Sequence, residues 1–241
     1  MTSFTDTNWN ITDLLKNPAP LVDDAIQTRM SVRAFTDRPV EKETIVELLE
    51  LSSRSGSGSN SQPWLVYVLQ GKSRDSLVEK MCAAYEDPSA AEPHTNYPPT
   101  WGSPYLERRR ANGWGLYGLL GIAKGDKEKM HAQQQGNYRF FDAPVGMIFT
   151  VDRIQGQGRG TLMDIGMCME NLMLAARARG LHTCALGALN NYASIVLSHC
   201  NAKPNEVVLC GLALGYADES ALINTFYTDR VPVSEFTTWL D

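Results

Sequence analysis

Apolar positions recur along this chain with two different periods, and the switches between them mark out most of its elements. Val22, Ala25 and Ile26 fall on one face at helical spacing, which predicts a short helix starting near Leu21 and stopping before Ser31. Ile45, Leu48 and Leu49 repeat the pattern after Val40-Glu41-Lys42-Glu43, and the Gly/Ser-rich stretch 52–60 breaks that second helix. Residues 65–69 are an unbroken apolar run and read as a strand buried on both faces. Ser73 is placed to cap the helix behind it. Residues 85–104 hold five prolines and little periodicity, so they read as irregular; helices are expected at about 106–120 and 126–135. Further strands are expected at 143–151 and 207–216, a shorter helix at 191–199, and a tail at 230–241.

The stretch 161–179 has a different pattern. Leu162, Met163, Ile165, Met167, Met169, Leu172, Met173 and Leu174 make it apolar almost all round, and such a helix needs cover on every side. One sheet covers one side, so a second chain is the natural cover for the other. Residues 1–20, rich in Thr, Asn and Asp and ending in Pro18-Ala19-Pro20, read as an N-terminal extension laid over the surface, with Trp9 and Ile11 as anchors. Residues 21–241 then form one domain in which 85–135 is a cap-like excursion. The order of elements indicates an α+β fold, with helices around a central, mainly antiparallel sheet.

Composition narrows the function. At 241 residues the chain is long enough for a substantial core. A net charge of −5 gives no basic field for nucleic acid or an anionic membrane, so neither is expected as a partner. No stretch approaches the roughly 18 apolar residues of a membrane span, and the N-terminus has neither the basic region nor the apolar run of a signal peptide. The five cysteines lack Cys-x-x-Cys spacing and sit among apolar neighbours, which points to reduced thiols and a cytoplasmic setting. His94, His131, His182 and His199 show no metal-ligand spacing, and no metal site is expected.

Two segments carry the candidate chemistry. Arg29-Met30-Ser31-Val32-Arg33, if extended, sends Arg29, Ser31 and Arg33 to one side and Met30 and Val32 to the other. Two guanidinium forks and a hydroxyl suit a phosphorylated ligand, although an isolated Arg-x-Ser-x-Arg also fits a solvated edge strand. Ser57-Gly58-Ser59-Asn60-Ser61-Gln62-Pro63-Trp64 is a small-residue loop with two side-chain amides, running into an apolar strand. Gly and Ser are also common in plain connections, and Trp64 reads as a core residue.

These segments resemble the FMN-dependent nitroreductase family. Residues 29–35 are similar to its Arg-Arg-Ser-Val-Arg-x-Phe opening, and 57–64 to its Pro-Ser-x-x-Asn-x-Gln-Pro-Trp loop. Phe140-Phe141-Asp142-Ala143-Pro144-Val145, the helix from Asp164 to Leu181, and Asn224-Thr225-Phe226-Tyr227-Thr228-Asp229-Arg230 follow in the family's order. The resemblance implies a homodimer with two FMN sites in its interface, NADH or NADPH as donor, and a small electron-poor aromatic acceptor such as a nitroarene or quinone. It assigns Arg29 and Ser31 to the FMN phosphate, with Arg230 completing that site. Arg33 goes to the N1/C2 edge of the flavin, where a fixed cation favours the charge that reduction brings. Ser57, Ser59, Asn60 and Gln62 approach the ring, as do backbone groups of Leu186 and Gly187, where glycine permits close approach. Met30 stands where the family usually has a second Arg or a His, and a thioether cannot bind phosphate. Gly56 replaces a usual Pro.

Other reduced-flavin reactions on the same fold (reductive dehalogenation, enone reduction, flavin cleavage) and a flavin-binding protein without turnover remain alternatives. So does a dimer whose Arg-Ser cluster binds an unrelated phosphate. Arg108-Arg109-Arg110 reads as a solvated helix face, or as a collar for an anionic substrate or the NADPH phosphate. Gly156 to Gly160 lacks the features of a phosphate loop and reads as a turn.

Overall fold

The computed structural model describes residues 11–94 and 96–240; Trp9 lies outside them. The sheet has four strands, β1 (Leu65–Gln70), β2 (Val145–Asp152), β3 (His182–Leu186) and β4 (Glu206–Gly215), in the order β1-β2-β4-β3. Every pairing between them is antiparallel, with one register shift between Phe149 and Thr150. Helices cover both faces, and the strands divide their side chains accordingly. Val145, Met147, Phe149 and Val151 of β2 and Leu212 and Leu214 of β4 point into one core. Ile148, Val208 and Ala213 point into the other. Strand residues buried alternately on two faces read in sequence as continuous apolar runs.

The first core is closed by α3 (Lys42–Ser52), through Ile45 and Leu48, and by α7 (Arg159–Ala178), through Ile165, Leu172 and Ala176. The second lies under α4 (Gly71–Tyr85), through Leu77 and Met81, and α8 (Ala193–His199), through Val196, together with Tyr138, Phe140 and Phe141. Phe140 packs so closely on β2 that a Cβ at Gly146 would stand 2.9 Å from its ring. Two short helices, α1 (Ile11–Lys16) and α2 (Val22–Thr28), precede the sheet. The excursion carries α5 (Tyr105–Leu119) and α6 (Lys127–Gln135), and the tail a single turn, α9 (Val233–Phe236).

Residues 11–20 are fastened more firmly than a surface extension. Leu15 and Ala19 are buried, the Arg177 guanidinium donates to the Asn17 carbonyl, and His182 Nε2–H donates to the Leu15 carbonyl. His182 Nδ1 is buried without a partner. Burial, then the neighbouring Arg177 charge, pushes this imidazole down to about 4, so it is neutral in the fold.

Two expectations are corrected. β1 is an edge strand, and Leu65 and Val68 keep more than a third of their surface exposed, so it is not buried on both faces. Ser73 does not cap α4: that helix starts at Gly71, and the Ser73 hydroxyl lies 3.2 Å from His199 Nε2 inside its first turn. The sheet covers one side of the apolar helix α7, as expected, and the other side is open in the single chain. Met163 (66% exposed) and Met167 (46%) face outward, with Asn171 exposed and Leu174 half-buried on the same stripe. The cysteines are all free thiols. No helix among the described residues is long and apolar enough to cross a membrane.

Candidate functional site

The segment after α2 lies along the free edge of β3. Ser31 forms a parallel bridge with Thr183, and Val32 N–H donates to the Thr183 carbonyl at 3.1 Å. Extended backbone gives the expected alternation. Met30 and Val32 are buried in the core, while Arg29, Ser31 and Arg33 stay partly open on the other side. The Met30 side chain therefore cannot be a ligand contact; only its backbone remains available.

Arg29 ends α2 and lies 3.4 Å from Glu170 of α7, with a fifth of its side chain exposed. The Arg33 guanidinium donates to the Ser31 carbonyl at 3.3 Å, which folds it back over the hydroxyl. Beneath the three, burial raises the Cys184 thiol, a rise partly offset by the Arg33 charge, a hydrogen bond with Ser31 and the Arg29 charge. The pairing is parallel, so the segment advances toward Arg33 as β3 advances toward Leu186 and Gly187. Here the strand opens: Ala185 is exposed, although the other four β3 residues are buried. Leu186 turns its side chain into the core and begins the 3-10 turn Gly187–Tyr192 with its backbone.

Asn224, the first residue of the Asn224–Arg230 motif, locks this arrangement from the far end of the chain. It is fully buried. Its Oδ1 accepts from Arg33 N–H at 2.8 Å, and its Nδ2 donates to the carbonyls of Ala34 (2.8 Å) and Asp218 (2.9 Å). A buried amide with three satisfied bonds inside a recognised motif fixes backbone. Further on, the Tyr227 hydroxyl donates to the Gln27 carbonyl, which brings the tail to the end of α2. Among the described residues the Arg230 side chain bonds only within its own loop: its Nη1 donates to Thr228 and Asp229, and it is exposed.

The 57–62 loop is built for backbone display. Ser59, Asn60 and Gln62 have φ of 53°, 57° and 48°, a left-handed conformation that costs non-glycine residues energy and has to be held by neighbours. Those neighbours are Asp164 of α7, which accepts from Gly58 N–H at 3.1 Å, and Ser57, whose hydroxyl accepts from Gln62 N–H at 3.1 Å. The Gln62 amide bonds the Asn60 carbonyl, while the Ser59 and Asn60 side chains are exposed. Trp64 packs partly buried against the α7 core.

Among the described residues no hydrogen bond or ion pair joins the loop to the Arg29 segment. Asp164 and Glu170, which hold them, are six residues apart on α7, roughly 120° around the helix and about 9 Å along it. They flank the uncovered Met163–Met167 stripe from opposite sides.

The excursion leans over the same end of β3. Arg33 borders a cleft of about 160 Å³ walled by Gly113, Leu116 and Tyr117 of α5, Gln133 and Gln134 of α6, and Asn137 and Phe141. The Tyr97 hydroxyl stands 3.2 Å from where a Cβ would sit on Gly187, and Asn96 Nδ2 donates to the Leu209 carbonyl at 3.1 Å. The contact of Tyr97 with Gly187 is what pattern reading missed, because an aperiodic loop gives no orientation signal.

The model for the "Nitroreductase family" matches residues 26–216. The chain belongs to that family. Among relatives, a 4-nitrobenzoate reductase of Nocardioides sp. (strain LMS-CY) is 37% identical over 233 residues, 94% of this chain and 93% of that protein. A chloronitrobenzene nitroreductase of Comamonas testosteroni is 34% identical, covering 92% and 98% of the two chains. Among solved nitroreductase structures, the FMN- and NADPH-dependent NfnB from Sphigopyxis sp. strain HMH superposes with a TM-score of 0.87 at 34% identity, covering 92% of this chain and 99% of that one. NfnB from Mycobacterium smegmatis, solved in complex with NADPH, gives a TM-score of 0.85 at 30% identity, with coverage of 91% and 97%.

Proposed function

We propose that this chain is an FMN-dependent oxidoreductase that uses NAD(P)H to reduce nitroaromatic and related electron-poor acceptors, and that it works as a homodimer in the cytoplasm. The observation that carries the reading is the one-sided array of Arg29, Ser31 and Arg33 beside the single open position of β3, in a member of the nitroreductase family. Two guanidinium groups and a hydroxyl fit a phosphate. Arg33, fixed through Asn224, fits the electron-rich edge of a flat ring, and the Ala185–Gly187 stretch leaves room for that ring.

FMN, when bound, supplies the two-electron chemistry, taking a hydride from NAD(P)H and passing it to the acceptor in alternate half-reactions. The chain's residues do the rest. Arg29 exchanges Glu170 for the phosphate, Ser31 adds a short donor, and Arg230 swings in from the tail anchored by Tyr227. Arg33 keeps a permanent positive charge at the pyrimidine edge, and the backbone at Leu186 and Gly187 lies against the opposite edge. Tyr97 and α5 narrow the entrance and limit water and acceptor size.

Dimerisation completes the site. A two-fold axis near the uncovered α7 stripe would bring the Ser57–Gln62 loop of one copy toward the Arg29 segment of the other. The tail offers further surface for a second copy: Phe236, Trp239 and Leu240 are 67%, 82% and 91% exposed. Purified protein should therefore be a yellow dimer, and the pigment released on denaturation should chromatograph as FMN. A colourless protein that takes up no added FMN would overturn the reading.

A further inference from the structure

The Arg108-Arg109-Arg110 run is divided by the fold. Arg108 is held 3.2 Å from Glu235 of the tail. Arg109 instead lies over the face of Trp101, 5.3 Å from the ring centre, and takes no carboxylate among the described residues. Trp101 stands 6.2 Å from Tyr97, and Tyr97 covers Gly187. Arg109 also shares its helix face with Gly113, Leu116 and Tyr117, at i+4, i+7 and i+8, and those three wall the cleft that ends at Arg33. An exposed guanidinium thus stands at the outer end of a line of aromatic rings, Trp101 and Tyr97, that runs in to Gly187.

We propose that Arg109, steadied on Trp101, selects acceptors carrying a carboxylate on the aromatic ring at the end remote from the reducible group. This rests on the functional reading above, which places the flavin edge at Gly187. Flat aromatic walls suit an aryl ring, and one guanidinium fork matches one carboxylate in bidentate geometry. The 2′-phosphate on the adenosine ribose of NADPH would share the anionic chemistry. It is the weaker fit, because Arg108, the cation beside Arg109, is already committed to Glu235.

The test compares 4-nitrobenzoate with its neutral methyl ester as acceptors for the dimeric holoenzyme, alongside equilibrium dialysis of benzoate against benzamide. Arg109→Gln should lower the acid-over-ester preference in kcat/KM by roughly 10- to 100-fold, the value of one charge-assisted bond. Benzoate binding should fall with it, while Arg110→Gln leaves the preference in place. Equal loss on acid and ester would make Arg109 a structural prop and overturn the proposal. So would a selective loss of NADPH over NADH, which would assign Arg109 to the donor, or equal binding of benzoate and benzamide by the wild type. Failure of the functional reading would show separately, as protein that is colourless or turns over neither ester nor quinone. Dialysis of the wild type against benzoate and benzamide still decides the carboxylate preference in that event.

Discussion

Arg29→Ala is the sharpest probe of the phosphate assignment. A charge-assisted bond to phosphate contributes about 1.5–3 kcal/mol. Against this stands the ion pair Arg29 gives up, 3.4 Å from Glu170 with side chains 20% and 47% exposed. Such a solvent-screened pair is worth at most about 1 kcal/mol. The net loss on removing Arg29 is then about 0.5–3 kcal/mol, or roughly 2- to 150-fold in FMN affinity. Riboflavin, which lacks the phosphate, should bind almost as before. Glu170→Gln removes the competitor and should tighten FMN by up to about fivefold. Arg230→Ala should repeat the FMN-selective loss if the tail swings in. Flavin fluorescence quenching during titration of apoprotein reads both ligands. Equal weakening of FMN and riboflavin by Arg29→Ala, or no change for either, would refute the assignment.

Arg33→Gln should leave FMN bound but lower its midpoint potential and slow reduction by NADPH, since the fixed cation is gone; an unchanged potential in a fully flavinated variant rules that role out. Met167→Lys puts a charge on the uncovered stripe of α7, whereas Met169 packs in the core. Sedimentation should show Met167→Lys shifted toward monomer with flavin lost in parallel, and a yellow, active monomer would sink the shared-site dimer. His182 is neutral in the fold, with its pKa pushed from 6.5 to about 4. Unfolded chains take up its proton first as pH falls, so stability is full above about 6.5 and declines toward about 4, by up to about 3 kcal/mol. Denaturant unfolding across that range should show the decline flattened in His182→Gln; an identical slope in the variant would mean other groups govern it.

The sequence made most elements legible because each records a burial pattern. It misled at the rim of the sheet. β1 reads as doubly buried from its run Leu65-Val66-Tyr67-Val68-Leu69, yet it is an edge strand in the single chain. The apolar pattern of α7 matches the fold: one sheet covers one side, and Met163 and Met167 on the other are bare in the single chain. Ser73 failed as a cap because α4 starts directly from the strand at Gly71, whose φ of +51° makes the turn.

In the site, alternation alone separated Arg29, Ser31 and Arg33 from Met30 and Val32. That the Ser57–Gln62 loop sits on the opposite flank of α7 was beyond reach, since sequence order does not say which chain completes a site. Asp164 and Asn224 escaped for another reason. They act on backbone groups far away in sequence, Asn224 across 191 residues to Arg33, and no local period signals such a bond.

By this mechanism the fold holds FMN and lets one face of it serve donor and acceptor in turn. Anaerobic titration of the purified dimer tests it most directly. NADPH should bleach the flavin absorbance stoichiometrically, and a nitroarene added after removal of NADP should restore the colour while its nitro group is reduced. Colour that NADPH does not bleach, or bleached protein that a nitroarene does not reoxidise, would contradict the account.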